Sequence, residues 1–181
     1  MQAIEAFAHV RTQHPEAMLV VRGGREPYGD VIFARARDLG LDVQDVALDS
    51  REPEAFADAL QHAEAAIVNL RTFVPEDVLF ALYHVADAVL ANSGKEPFGL
   101  VGLEVMAASG VAVTGSTGED YAQPFENAVV CDTGDPRELA AYLKALIADS
   151  ALSHAIRAAG ALTAERYTWP IVLEILSHKL L

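Results

Sequence analysis

The sequence has 181 residues, enough for one ordinary domain with a sizeable core, and is 52% hydrophobic and 22% charged. Its formal net charge of −13 excludes a broad basic face for DNA, RNA or an anionic membrane, but permits one phosphate site built from backbone N–H groups. The lone Cys131 rules out a disulfide framework or thiolate metal cluster, and no apolar run reaches membrane-spanning length.

Ile4, Phe7, Ala8 and Val10 recur at helical spacing and predict an opening amphipathic helix that ends near His14-Pro15. That start lacks the basic-then-apolar layout of a secretory signal, so a cytoplasmic location is expected. No strand precedes it and no Ser, Thr, Asp or Asn caps it. A βα chain opening on its helix is expected to lack its first strand, which in doubly wound folds lies mid-sheet. Residues 18–21 read as a strand closed by Gly23-Gly24, and residues 28–39 as a helix ended by Gly40. A weaker strand over 42–48 and a helix over 52–63 follow, then a strand over 65–70. Pro75-Glu76-Asp77 opens the next helix with acids in its first turn, as the helix dipole favours. After it come a strand at 88–92, a helix at 98–109 and a strand at 111–115. A loop then runs to Asn127, a short strand covers 128–131, and helices are expected from Asp135 to Ala148, over 151–166 and over 170–180. This alternation predicts an α/β fold with a mainly parallel, Rossmann-like sheet flanked by helices, organised as one domain over residues 1–181.

Within it, Glu96-Pro97-Phe98-Gly99-Leu100-Val101-Gly102-Leu103-Glu104 stands out. Two carboxylates lie eight residues apart around the start of an otherwise apolar helix, with a strand on either side. The first N–H groups of a helix lack partners and face an anion well, while nearby carboxylates accept hydrogen bonds from hydroxyls. An anion joined to a polyol describes a nucleotide sugar. Periodicity alone leaves alternatives open. Glu104 equally suits a solvent-facing or arginine-paired position, and Glu96 equally suits an acidic helix start. Gly23-Gly24 lacks the G-x-G-x-x-G dinucleotide pattern and is better read as a plain turn. The six histidines show no metal-ligand spacing, and Ser93-Gly94 suits a turn as well as a ligand contact.

The run from Glu96 through Glu104 to Ala107-Ala108-Ser109-Gly110 resembles the E-x7-E signature of retaining glycosyltransferases of family 4, also called group 1. Residues 111–115, then Gly118, Glu119, Asn127 and Asp132, continue that pattern in order, and Phe73-Val74-Pro75-Glu76-Asp77 with Ala86-Asp87 resembles the segment before it. The resemblance covers most of the chain and is most specific over residues 65–148.

It implies the C-terminal, donor-binding half of a two-domain B-type glycosyltransferase. The position of Glu96 would contact donor-sugar hydroxyls and serve catalysis. The backbone at Phe98, Gly99 and Leu100 would lie against sugar and diphosphate, and Glu104 would accept hydrogen bonds from the ribose. Gly23, Gly24, Arg22 and Lys95 are candidates for the vicinity of the diphosphate. The expected partners are a UDP-, GDP- or ADP-sugar, with no metal and no other cofactor. The family's Arg and Lys on the loop after the first strand have no counterpart here, nor has its N-terminal acceptor domain, so the chain alone is expected to be incomplete and to transfer nothing. Homodimerisation is also expected, through an open sheet edge or the apolar closing helix after Trp169-Pro170. Two alternatives compete: a non-catalytic B-type domain acting as a partner subunit, and a sugar-nucleotide epimerase or sugar phosphorylase of related fold.

Overall fold

The computed structural model describes residues 1–23, 27–92, 98–115 and 120–180. The predicted elements occur in the predicted order: α1 (Gln2–Arg11), β1 (Leu19–Arg22), α2 (Pro27–Asp38), β2 (Val43–Val46), α3 (Pro53–Gln61), β3 (Ile67–Leu70), α4 (Glu76–Val85), β4 (Val89–Leu90), α5 (Leu100–Ala107), β5 (Ala112–Thr114), β6 (Val129–Val130), α6 (Pro136–Ala148), α7 (Ser150–Ala164) and α8 (Trp169–Leu180). A short 3₁₀ turn, Glu165–Tyr167, lies between α7 and α8. Among the described residues every strand pairing is parallel, and the strands form two three-stranded ladders. The chain divides into two compact units: residues 1–79 with 134–144, and residues 80–133 with 145–181.

In the first unit β3 is central, with β1 and β2 on its flanks and Leu19 and Val43 both opposite Ile67. Ile67, Val68 and Leu70 are fully buried, which is why this segment is a continuous apolar run and not an alternating one. Ile4 and Phe7 of α1 and Ala36 of α2 join Ile67 in one apolar cluster. Glu5 ties α1 to α2 through Arg35, at 3.0 Å. Helix α2 ends where its glycine requires. Gly40 adopts φ +76°, its N–H donates to Arg37, and the Leu41 N–H reaches back to Ala36 at 3.0 Å. That left-handed stop folds Leu41 into the cluster beside Ala36.

In the second unit β5 is central between β4 and β6, and Val111, Ala112, Val113 and Thr114 are all buried. Strands β4 and β6 are shorter than their apolar runs suggest. Single bonds from Ala91 N–H to Val113 and from Cys131 N–H to Thr114, both 2.8 Å, carry the pairing one residue further. Helix α7 is capped by Asp149, whose side chain accepts from the Leu152 N–H. It packs on α5 where Gly160 lets it approach: a β-carbon there would come within 3.2 Å of Met106. Among the described residues helix α8 packs chiefly on the 3₁₀ turn, and Trp169, Leu173, Ile175 and Leu176 are all exposed.

Candidate functional site

The start of α5 is built on one residue. Gly99 is its N-cap and sits in the left-handed region, at φ +78° and ψ +55°, where a side chain would be strained. Having no side chain, Gly99 cannot satisfy the helix's first N–H groups as a Ser or Asp cap would. Those of Leu100 and Val101 have no partner within the helix. Gly99 is buried and Leu100 is 63% exposed, so the turn opens to solvent at the first helical residue.

Glu104 stands one turn further along α5, in the i, i+4 relation to Leu100, and is half-buried. Among the described residues its carboxylate has no hydrogen-bond or ion-pair partner. An unpartnered acid on a helix whose other side chains are apolar is a strong acceptor with nothing to accept from. Together with the open N–H groups it offers one turn of helix carrying an anion site and a hydroxyl acceptor. Beneath it, Thr114 closes β5 against Gly102, and the Thr114 Oγ1 is buried with no hydrogen-bond partner among the described residues.

Three aromatic rings cluster beside the turn. Phe98 lies 5.6 Å from Tyr121 and 5.9 Å from Tyr167, and the two tyrosines lie 6.0 Å apart. The Tyr121 hydroxyl donates to the Gly99 carbonyl at 2.5 Å, and the Tyr167 hydroxyl donates to the Asp120 carbonyl at 2.9 Å. Asn127, also buried, accepts from the Gln123 N–H at 2.7 Å and donates to the Tyr121 carbonyl and the Thr163 hydroxyl, both at 2.9 Å.

The structure therefore brings together Phe98, Gly99, Leu100 and Glu104. Glu96, Lys95 and Gly24 lie outside the described residues, as do Gly118 and Glu119. Arg22 and Gly23 belong to the first unit, where both are exposed at the carboxyl end of β1, the end of a parallel sheet at which ligands bind. At the same end of β2 and β3 Asp45 accepts from Asn69 at 2.8 Å and from Arg71 at 2.9 Å. These bonds, Asn69's first, hold the Asp45 carboxyl below its ordinary range. Arg71 is thus committed to an acid. Sequence reasoning missed Tyr121 and Tyr167, which lie outside the run from Glu96 through Glu104.

The sequence pattern of the family described as glycosyl transferases group 1 matches residues 1–163. A comparison with curated proteins finds no match. Among solved structures the chain is similar to the C-terminal domain of a glycosyl transferase group 1 family protein, LpcC, from Francisella tularensis, with a TM-score of 0.72 and 21% identity over 92% of this chain and 77% of that one. It is also similar to HepE from Anabaena, solved in complex with UDP and glucose, at a TM-score of 0.69 and 17% identity over 99% of this chain and 43% of that one. A sucrose-phosphate synthase from Thermosynechococcus elongatus gives 0.65 and 21%, over 99% and 42%. The chain therefore spans about two-fifths of the length of HepE and of the synthase. At these identities the likeness establishes the fold, that of the C-terminal half of a B-type glycosyltransferase.

Proposed function

The chain belongs to the group 1 glycosyl transferases, and on that premise we propose that it is the nucleotide-sugar donor-binding domain of a retaining hexosyltransferase. The N–H groups opening α5 take the donor diphosphate, Glu104 accepts from the ribose hydroxyls, and Glu96 contacts the sugar. Rate enhancement in such a site comes from stabilising the departing nucleotide diphosphate and the cationic sugar, with no protein nucleophile required. The N–H groups that open α5 carry the anionic charge, so binding is expected to survive chelation of divalent metal.

The observation that carries this reading is the half-buried Glu104 carboxylate, unpartnered among the described residues and one turn from N–H groups that the Gly99 cap leaves open. UDP in the HepE structure supports it. The test is a calorimetric titration of the chain with UDP, GDP and ADP beside Glu104→Ala. Saturable binding of one nucleotide, weakened by the substitution, identifies the donor site and its base. Binding that Glu104→Ala leaves unchanged would overturn the role of Glu104.

The exposed apolar residues of α8 favour a second element of the reading: a packing surface for another polypeptide, an acceptor-binding domain or a second copy. On this view the chain binds donor alone and transfers sugar only when acceptor-binding residues are supplied.

A further inference from the structure

We propose that Tyr121 is a positioning residue of the donor site, its hydroxyl aiming the Leu100 N–H toward the donor's diphosphate. The assignment rests on the donor reading above and adds a residue outside the helix that carries the site.

The geometry runs through one peptide plane. A trans peptide fixes its C=O and N–H in opposite directions, so whatever holds the Gly99 carbonyl also sets the direction of the Leu100 N–H. The Tyr121 hydroxyl donates to that carbonyl at 2.5 Å, and the only other donor to it among the described residues is the Gly102 N–H at a looser 3.2 Å. Gly99 is the residue least able to hold the plane by itself, because glycine occupies both signs of φ with little preference. A turn that must present an N–H in one direction, yet pivots on a glycine, needs an outside restraint. Tyr121 supplies it.

Three features keep the hydroxyl in place. The Tyr121 side chain is buried, at 5% exposure, and packs against the rings of Phe98 and Tyr167. Asn127 bonds its backbone carbonyl and is itself held by Thr163 of α7. Gly102 leaves the space: a β-carbon there would stand 2.2 Å from the Tyr121 hydroxyl oxygen. A glycine inside a helix weakens it, so its presence one turn into α5 is explained by what it admits.

The experiment is an amide chemical-shift titration of the full chain with UDP-glucose, GDP-mannose and ADP-glucose, comparing wild type with Tyr121→Phe and Gly102→Ala. In the wild type the Leu100 amide is expected to move on addition of one of the three. In Tyr121→Phe, which keeps the ring and its packing, the free Leu100 amide starts displaced and exchange-broadened, and affinity for that donor falls roughly three- to tenfold. Gly102→Ala, which pushes the hydroxyl aside, gives the same Leu100 signature. If Tyr121→Phe binds the donor as the wild type does, with an unshifted Leu100 amide, the positioning role is overturned while the donor reading stands. If the wild type responds to none of the three, the donor reading falls and this assignment with it.

Discussion

The guanidinium of Arg157 donates to the carbonyl of His84, 73 positions away in sequence, at 2.7 Å. The same group donates to Ala86 at 2.6 Å and to Ser109 at 2.9 Å, so one cation gathers carbonyls from the ends of α4 and α5. His84 completes the junction by donating from Nδ1 to Ala108 at 2.9 Å. Carbonyls at helix ends lack partners within their own helix and carry the negative end of the dipole, so a cation there satisfies both demands. Arg157→Ala removes all three bonds at once. We expect a loss of about 2–3 kcal/mol, more than a neutral bond and less than the sum of three charged ones. Urea unfolding measures it; a change below about 0.5 kcal/mol would mean that water replaces the guanidinium without cost.

Ser109 makes the opposite prediction. It follows α5 at φ +56°, a left-handed conformation costly for a residue with a β-carbon. The Ser109 N–H donates to Met106 at 2.9 Å and the Gly110 N–H to Val105 at 2.8 Å, the pattern in which glycine is the preferred stop. The next position holds the glycine because there the space is absent: a β-carbon at Gly110 would meet the Tyr83 carbonyl oxygen at 2.4 Å. Ser109→Gly is expected to raise stability by about 0.5 kcal/mol, relief of strain exceeding the added freedom of the unfolded chain. A lowered melting temperature would show that the Ser109 side chain has a role of its own.

Those two residues mark what the sequence makes legible. The order of elements follows from local periodicity and the glycine stops, and Gly40 and Gly110 fall where the pattern ends. Glu104 is legible as an acid on an apolar helix, and the structure leaves it unpartnered among the described residues. The division into two ladders is not legible, because apolar runs specify strands but not which neighbour each one pairs with. Arg157 looks like any arginine on a helix surface, since its partners are backbone carbonyls without a sequence signal. Tyr121 left one indirect trace. Gly102, a glycine inside a helical pattern, signals a close approach without naming what approaches.

Glu104→Gln tests the ribose contact separately from folding. The amide matches the carboxylate in shape but loses the charge that strengthens a hydrogen bond from a hydroxyl. Affinity for the preferred nucleoside diphosphate is expected to fall roughly tenfold. The sharper readout is discrimination. Wild type should prefer the ribonucleotide to its 2′-deoxy counterpart, and Glu104→Gln should lose most of that preference. Equal discrimination by both proteins would remove Glu104 from the ribose.

Asp135 fixes an acid dependence. It caps α6 by accepting from the Arg137 N–H at 2.9 Å, and it pairs with the Arg137 guanidinium at 2.7 Å. These bonds, the side-chain ones first, lower its pKa from 3.8 to about 2. Because the folded value is the lower one, the contribution is complete above the unfolded value and is lost as pH falls from about 4 through about 2. Solvent screens the pair, so the effect is small. Asp135→Asn keeps a capping oxygen and removes the charge. Melting curves of wild type and variant are expected to differ at pH 6 and converge toward pH 2; a difference constant across that range would place the effect in the cap alone.

Helix α8 predicts a behaviour in solution. Trp169, Ile171, Val172, Leu173, Ile175 and Leu176 are 36% to 76% exposed, and they occupy successive sides of the helix instead of one stripe. Twelve residues do not sustain a helix in water unaided, so the apolar area, on the order of several hundred Å², gains stability only from a partner. A second copy is always at hand in a pure sample. Sedimentation velocity of the wild type should show a mass that rises with concentration, and Leu173→Glu with Leu176→Glu should return it to the monomer without lowering the melting temperature, since neither side chain is buried in the fold. A net charge of −13 opposes association of like chains, so added salt should favour it. A wild-type chain that stays monomeric at every concentration and salt would leave α8 to a different polypeptide.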